Sequence, residues 1–223
     1  MLNPPRVSVP PSSLPRSWDA RLARRLITPL RNTWVTPNHL TTVRLIVGLA
    51  AAVAFCPGSY GWSNIAALLL VVSNFLDHTD GELARLTGKT SRIGHIYDLA
   101  SDAVVTILLF LAVGVGVAAK PDVDLEVPSL LLGAIAGTAV TMIFFLRMRI
   151  EEALGKSAIK QASLGGFETE DVLYLFPLAT LCNALTPLLM TAAVIAPLYM
   201  LWVVIKYRRV MRQDRSTTPG VAG

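Results

Sequence analysis

The chain has 223 residues, of which 53% are hydrophobic and 16% are charged, and its formal net charge is +5. Its mean hydropathy of +0.54 excludes a soluble globular domain with a mixed surface. Apolar runs long enough to cross a bilayer recur along the sequence. These features predict an all-α integral membrane protein, with six transmembrane helices preceded by an N-terminal amphipathic surface helix.

The N-terminal region divides into two segments of different composition. Residues 1–16 are rich in proline and serine, hold no apolar stretch of the kind found in a cleaved signal peptide, and are expected to be disordered. Residues 17–35 carry large apolar side chains at four-residue steps with arginines between them, which predicts a juxtamembrane amphipathic helix on anionic headgroups. A basic segment that only fixes topology is the alternative. Pro29 is expected to shorten or bend this helix.

Residues 36–210 are predicted to form the six-helix domain, and residues 211–223 a disordered tail. Glycine, proline and asparagine turn signals separate the apolar segments. The fifth and sixth segments contain Pro177 and Pro197, which membrane helices tolerate with a kink. The predicted spans cover residues 38–56, 62–87, 92–119, 128–154, 169–183 and 186–208.

Basic residues predict the orientation of these spans. Lysine and arginine concentrate in the N-terminal arm, the loop between the second and third spans, the connection between the fourth and fifth, and the tail. The opposite side holds only Lys120, beside three acidic residues. The positive-inside rule therefore predicts that both termini lie in the cytoplasm, at a plasma or inner membrane.

Four aspartates lie within these apolar segments. Asp77 and Asp80 are one helical turn apart on the second span, and Asp98 and Asp102 are one turn apart on the third. A short loop makes the two helices antiparallel. Because residues 77 and 102, and residues 80 and 98, are each centred close to Lys89, each aspartate of one helix is expected to lie level with one of the other. This register predicts that four carboxylates converge at one depth, open to the cytoplasmic side.

Such a cluster needs positive charge, because each membrane-embedded carboxylate costs about 2.5–3.5 kcal/mol and like charges repel. Arg44 and Arg85 supply at most two charges. Oxygen ligands favour Mg²⁺ or Mn²⁺, with Ca²⁺ as an alternative, over zinc. Shared carboxylates suit a pair of ions that clamp a phosphoryl group. Gly81 and Gly94 are expected where a helix or a ligand approaches closely.

The spacing D-x2-D-G-x2-A-R-x8-G-x3-D-x3-D, filled from Asp77 to Asp102, resembles the signature of the CDP-alcohol phosphotransferase (CDP-alcohol phosphatidyltransferase) family. A second segment, from Thr36 to Arg44, is similar to the family's P-N-x-x-T element. The six-span layout and the preceding surface helix also resemble that family. Homodimerisation, common in the family, is compatible with the small residues Gly133 and Gly137 on the fourth span.

The resemblance implies roles for the matching residues. Asp102 would act as the catalytic base while also touching one metal ion. Arg44 needs an anionic partner, either the phosphates of the donor or the aspartate cluster. Asn38 could equally cap the first span. The implied metal ligands are Asp77, Asp80, Asp98 and Asp102. The implied nucleotide and donor contacts are Asn38, Thr79, Gly81, Ala84, Arg85 and Gly94.

Charged residues between the fourth and fifth spans are candidates for binding the acceptor. The basic ones suit a phosphate-bearing acceptor, and the acidic ones could hydrogen-bond a polyol or a cationic head group. Anchoring of the topology and helix capping are the structural alternatives. The basic candidates are Arg147, Arg149, Lys156 and Lys160. The acidic candidates are Glu168, Glu170 and Asp171.

The predicted function is a membrane transferase that moves a phosphatidyl or substituted phosphoryl group from CDP-diacylglycerol or a CDP-polyol to an alcohol, releasing CMP. An inositol-type polyol or its phosphate is favoured as acceptor over glycerol phosphate, and both over serine or choline. The expected partners are these substrates, membrane lipids and a second copy of the chain, with no nucleic acid. A carboxylate-lined ion- or proton-coupled transporter is the alternative, although all the acids come from one hairpin and no inverted repeat is visible.

Overall fold

The computed structural model describes residues 18–88, 91–154 and 175–217, and within these ranges every regular element is a helix. A 3-10 turn, Thr28–Asn32, follows the first helix. The α-helices are α1 (Trp18–Ile27), α2 (Pro37–Phe55), α3 (Tyr60–Thr87), α4 (Arg92–Ala118), α5 (Ser129–Leu154), α6 (Leu175–Leu181) and α7 (Leu185–Thr217).

Four of these helices are long and apolar enough to cross a membrane. They have mean hydropathies between 1.4 and 2.3, and together they identify an all-helical integral membrane protein. The α3 helix has 28 residues, but polar side chains interrupt its apolar sequence, and α6 has only 7. The four apolar stretches are Pro37–Phe55, Arg92–Ala118, Ser129–Ile150 and Leu185–Arg209.

The boundaries of α2 to α5 closely match the predicted spans, because the turn residues are where the chain needs them. Gly58, with φ +67°, follows α2, and Gly88, with φ +66°, ends α3. Both adopt the left-handed backbone conformation that glycine reaches without a steric penalty. Both helices therefore end at or shortly before a glycine that the sequence marks as a turn signal.

The first helix is shorter than the predicted segment 17–35. It ends at Ile27, and the chain continues as the 3-10 turn that contains Pro29. A proline lacks the backbone N–H and crowds the preceding turn, so an α-helix cannot continue through it undisturbed. Ile27 is buried, and α1 packs against α3. Whether α1 lies on headgroups stays a prediction.

The last helix is longer than predicted. The α7 helix runs to Thr217, past the expected end at residue 208 and into the tail that was expected to be disordered from residue 211. The apolar stretch ends at Arg209, so the helix continues for eight residues beyond it. For the predicted span 169–183, the described part is α6, which begins at Leu175.

Small residues let α4 and α5 approach closely. A Cβ added to Gly133 would lie 2.3 Å from the carbonyl oxygen of Phe110, and one added to Gly114 would lie 2.6 Å from that of Ser129. Gly137 also faces Phe110. The small residues of α5 are thus used for packing within the chain, as expected for membrane helices.

Candidate active site

Three of the four predicted aspartates come together between α3 and α4. Asp77, Asp98 and Asp102 each offer a carboxylate oxygen, and these oxygens lie within 4.8 Å of one another. The side chains are 36%, 36% and 47% exposed, respectively. A ligand can therefore reach the cluster from one side, while its other side is covered by protein.

Asp80 lies next to this cluster but faces a different neighbour. It is buried, and its Oδ2 accepts a hydrogen bond of 2.8 Å from Thr41 Oγ1 on α2. Three residues turn an α-helix by about 300°, so Asp80 is rotated about 60° from Asp77. That rotation directs Asp80 toward α2. Of the four carboxylates predicted to converge, three form the cluster and Asp80 lies beside it.

Arg44 is the buried cation of the site. Its Nη1 donates to Asp102 Oδ1 at 2.7 Å and also to Asp77 Oδ1. Its Nη2 lies 3.1 Å from Asp98 Oδ1 and donates to the Asp98 carbonyl oxygen at 3.3 Å. The side chain is only 4% exposed. Of the two anionic partners considered from the sequence, the described contacts are with the aspartates.

The backbone around Arg44 is held in place by close helix packing. Ser73 Oγ on α3 donates to the Arg44 carbonyl oxygen at 3.1 Å. One turn further along α2, a Cβ added to Gly48 would lie 2.8 Å from Val105 on α4 and 3.0 Å from Ser73 Oγ. Helices α2, α3 and α4 therefore meet near Arg44, and their packing fixes the position from which its guanidinium reaches the aspartates.

The stripe that follows Asp80 on α3 faces open space. A Cβ added to Gly81 would meet only Arg85 Nη2, at 3.5 Å, so no helix packs on this glycine. Ala84 is half-buried. The Arg85 side chain is 62% exposed, and its Nη2 lies 2.6 Å from Glu82 Oε1. Glu82 is buried, and its contact with Arg85 was not predicted from the sequence.

The second motif glycine has a different surrounding. A Cβ added to Gly94 would lie 2.9 Å from Asn38 Oδ1 and 3.0 Å from Ser91 Oγ, so Gly94 permits contact between the beginnings of α2 and α4. Ser91 caps α4 by accepting from the Gly94 N–H at 2.9 Å. The N-cap of α2 is Thr36, so Asn38, which is exposed, does not have the capping position.

The other residues predicted to bind the substrates have separate surroundings. Thr79 is buried, and its hydroxyl donates to the Leu76 carbonyl oxygen at 2.6 Å, so it is engaged within α3. On α5, Arg147 is half-buried and Arg149 is exposed. The other acceptor candidates, Lys156, Lys160, Glu168, Glu170 and Asp171, lie outside the described residues.

The donor atoms of the cluster fit a hard divalent cation. All three residues offer carboxylate oxygens, the ligands that Mg²⁺ and Mn²⁺ prefer in proteins. Among the side chains that the structure describes, no other group of three or more histidine, cysteine or acidic residues has this spacing. The cluster carries three acidic groups and one guanidinium, so a negative charge remains to attract a cation.

A family model described as CDP-alcohol phosphatidyltransferase matches residues 34–207. The chain belongs to the CDP-alcohol phosphatidyltransferase family. The matched segment includes the four aspartates, the Gly81 stripe and Arg44, and it leaves α1 outside. The resemblance drawn from the motif is therefore confirmed.

Curated proteins similar to this member of the CDP-alcohol phosphatidyltransferase family have several names. Cholinephosphotransferase 1 of Danio rerio is 36% identical over 102 residues, covering 40% of this chain and 26% of that protein. Archaetidylinositol phosphate synthase of Pyrococcus horikoshii is 33% identical over 100 residues, covering 44% and 51%. CDP-diacylglycerol–glycerol-3-phosphate 3-phosphatidyltransferase of Cereibacter sphaeroides is 36% identical over 83 residues, covering 36% and 38%. The alignments thus span about a quarter to a half of these relatives.

Proposed function

We propose that the protein is a membrane transferase that moves a phosphatidyl or other substituted phosphoryl group from a CDP-linked donor to an acceptor alcohol, releasing CMP. The observation that carries this proposal is the group of three carboxylates within 4.8 Å beside an open, glycine-containing helix stripe. The membership of the family and the names of its relatives support the same class of reaction.

In this proposal Asp77, Asp98 and Asp102 hold a divalent cation, Mg²⁺ or Mn²⁺, and Asp80 contributes to a second one. When bound, the cations supply positive charge next to the transferred phosphoryl group and the leaving phosphate. The hydrogen bond from Thr41 orients Asp80, in the way that outer-shell partners commonly orient ligating carboxylates.

Asp102 is the proposed general base. It is the most exposed of the three carboxylates, at 47%, so an acceptor hydroxyl can approach it. Its Oδ2, which is not the oxygen in contact with Arg44, takes the proton of the acceptor hydroxyl in this proposal. The acceptor oxygen forms a bond to the phosphorus distal to cytidine, the bond from that phosphorus to the bridging oxygen breaks, and CMP leaves with the electron pair.

The stripe of Gly81, Ala84 and Arg85 is the proposed surface for the donor. The open space at Gly81 admits the nucleotide close to the α3 backbone. The exposed guanidinium of Arg85 suits a diphosphate, and the buried carboxylate of Glu82 orients it. Asn38, Thr79 and Gly94 are proposed to shape the neighbouring wall, with Gly94 acting through its contact with Asn38.

For the acceptor we propose an inositol-type polyol or its phosphate, with glycerol phosphate as the next choice. Two relatives carry inositol phosphate and glycerol 3-phosphate in their names. Arg147 and Arg149 on α5 are the described cations proposed for an acceptor phosphate. We also propose acceptor contacts for five residues that lie outside the described ranges: Lys156, Lys160, Glu168, Glu170 and Asp171.

The proposed topology has six spans with both termini and the site in the cytoplasm. The α3 helix is about 42 Å long, more than the roughly 30 Å of a bilayer core, so its length permits a span. We place α6 within the fifth span. The apolar face of α7, with Leu198 63% and Leu201 55% exposed, is offered to membrane lipids or to a second copy of the chain in a homodimer.

The experiment is an assay of CMP release by purified protein with Mg²⁺, CDP-diacylglycerol or a CDP-polyol, and a panel of alcohols. The expected result is CMP release that requires one donor, one acceptor and the divalent cation. An Asp98→Asn or Asp102→Asn variant that keeps wild-type release would contradict the proposal. Flux of a metal ion across liposomes without CMP formation would favour a transporter instead.

A further inference from the structure

Arg44 contacts oxygens of the three carboxylates that are proposed to bind a divalent cation. Its Nη1 contacts one oxygen of Asp77 and one of Asp102, and its Nη2 is 3.1 Å from an oxygen of Asp98. These are the same three side chains whose carboxylate oxygens lie within 4.8 Å of one another. One guanidinium therefore contacts every carboxylate of the proposed cation site.

A cation and the guanidinium are mutually exclusive on these atoms. Mg²⁺ binds carboxylate oxygens at about 2.0–2.1 Å, whereas Arg44 Nη1 lies 2.7 Å from Asp102 Oδ1. An ion bonded to that oxygen and to its counterpart on Asp77 would overlap the position of Nη1. Two cations at contact distance also repel each other. One of them has to leave.

The arginine is the group that can move. Its backbone is fixed by Ser73 and by the packing at Gly48, but its long side chain reaches the carboxylates through its two terminal nitrogens. Nε is buried and has no hydrogen-bond partner, so withdrawal of the guanidinium breaks no bond at Nε. The aspartates, in contrast, lie on two helices, α3 and α4, that are separated by only four residues of sequence.

We propose that Arg44 is a displaceable internal counter-ion, which offsets part of the negative charge of Asp77, Asp98 and Asp102 until a divalent cation takes its place. The inference rests on the proposed cation site and not on the transfer reaction. It makes Arg44 a positioning residue that opposes cation binding and stabilises the fold when no cation is bound, the reverse of a residue that helps to hold the ion.

The test compares Mn²⁺ binding to the full-length protein in detergent, measured by electron paramagnetic resonance, for the wild type and Arg44→Gln. Loss of the competing charge should lower the Kd for Mn²⁺ by about tenfold or more. In EDTA the variant should unfold at a lower temperature than the wild type, because like charges then lack a partner, and saturating Mn²⁺ should reduce that difference.

Two further variants control this experiment. Arg92→Gln removes the same charge from an exposed arginine at the beginning of α4 that takes no part in the ion pairs of the cluster. It should leave the Kd and the unfolding temperature unchanged. Arg44→Lys keeps a competing cation and should bind Mn²⁺ within about threefold of the wild type. An unchanged or higher Kd for Arg44→Gln overturns the proposal.

A measurement on the wild type covers the case in which Arg44→Gln does not fold. In protein labelled with ¹⁵N-arginine, the side-chain resonance that disappears in Arg44→Lys should shift when Mg²⁺ is added. A resonance that stays in place while Mg²⁺ binds overturns the proposal. If no divalent cation binds the wild type, the proposed cation site itself is wrong, which is a different outcome from either of these.

Discussion

Thr41 Oγ1 donates a hydrogen bond of 2.8 Å to Asp80 Oδ2, joining α2 to the aspartate motif on α3. Both side chains are buried. One turn later on α2, Arg44 contacts the other three aspartates. A single face of α2 therefore contacts all four carboxylates, and the site is built from three helices rather than from the α3–α4 hairpin alone.

Thr41→Val should test the role of this hydrogen bond. The substitution keeps the shape of the side chain but leaves a buried carboxylate oxygen without its donor, which destabilises the fold by about 1–3 kcal/mol. CMP release should fall by about 10–100-fold, as for other outer-shell partners of metal ligands. Chemical unfolding and the CMP assay measure the two effects.

Thr42→Val is the matched control for this variant. Thr42 is the next residue, is exposed, and pairs with the Tyr97 hydroxyl at 3.0 Å. It should change CMP release by less than about twofold, since an exposed hydrogen bond contributes little. Equal losses in both variants would show that the Asp80 contact has no special role.

The two motif glycines should respond differently to alanine. At Gly81 the added methyl meets only the tip of Arg85 at 3.5 Å, so Gly81→Ala should keep or slightly raise the unfolding temperature. The same methyl enters the proposed donor space, so the KM for the donor should rise by about tenfold or more. Steady-state kinetics and thermal unfolding distinguish the effects.

Gly94→Ala is the counterpart of that variant. Its methyl would meet Asn38 Oδ1 at 2.9 Å and Ser91 Oγ at 3.0 Å, so neighbouring side chains have to shift. We expect a lower unfolding temperature, with a strain of about 1–3 kcal/mol. If Gly81→Ala destabilised the protein while Gly94→Ala did not, the assignment of open space to Gly81 would be incorrect.

Glu82→Gln should weaken donor binding through Arg85. The variant keeps the size of the buried side chain but removes the charge that pairs with the Arg85 guanidinium at 2.6 Å. A guanidinium that is less well oriented should raise the KM for the donor by about three- to tenfold with a smaller change in kcat. Glu126→Gln, an exposed acidic residue outside the site, should leave both constants unchanged. A fall confined to kcat would contradict the positioning role.

Arg147→Gln should discriminate between acceptors. If its half-buried guanidinium binds an acceptor phosphate, the KM for a phosphorylated polyol should rise by about tenfold while that for the unphosphorylated polyol stays the same. Arg208→Gln, on the exposed surface of α7, controls for loss of a basic residue. A uniform rise for both acceptors would indicate that Arg147 only anchors the topology.

Local sequence rules predicted most of the helix boundaries and the core of the site. Glycines with positive φ end α3 and follow α2. The register of two antiparallel helices joined by a short loop predicted that Asp77 lies close to Asp102, as observed. These features depend on neighbours along one chain segment. The end of α1 at Ile27 follows from Pro29 in the same way.

Contacts between α2 and the hairpin were not predictable in this way. The rotation of α2 about its own axis decides whether Arg44 meets aspartates or a substrate, and no repeat within α2 encodes it. The different surroundings of Gly81 and Gly94 depend on where α2 begins relative to α4. The burial of Glu82 likewise follows from packing that spacing alone does not specify.

The central claim is that a divalent cation binds among Asp77, Asp98 and Asp102. Anomalous scattering from crystals of the protein grown with Mn²⁺ and a cytidine nucleotide tests it most directly. The account predicts an anomalous peak within about 2.0–2.6 Å of oxygens from these side chains, with the Arg44 guanidinium moved off them. A map with no peak there, while Arg44 keeps its contacts in the presence of the nucleotide, would contradict the claim.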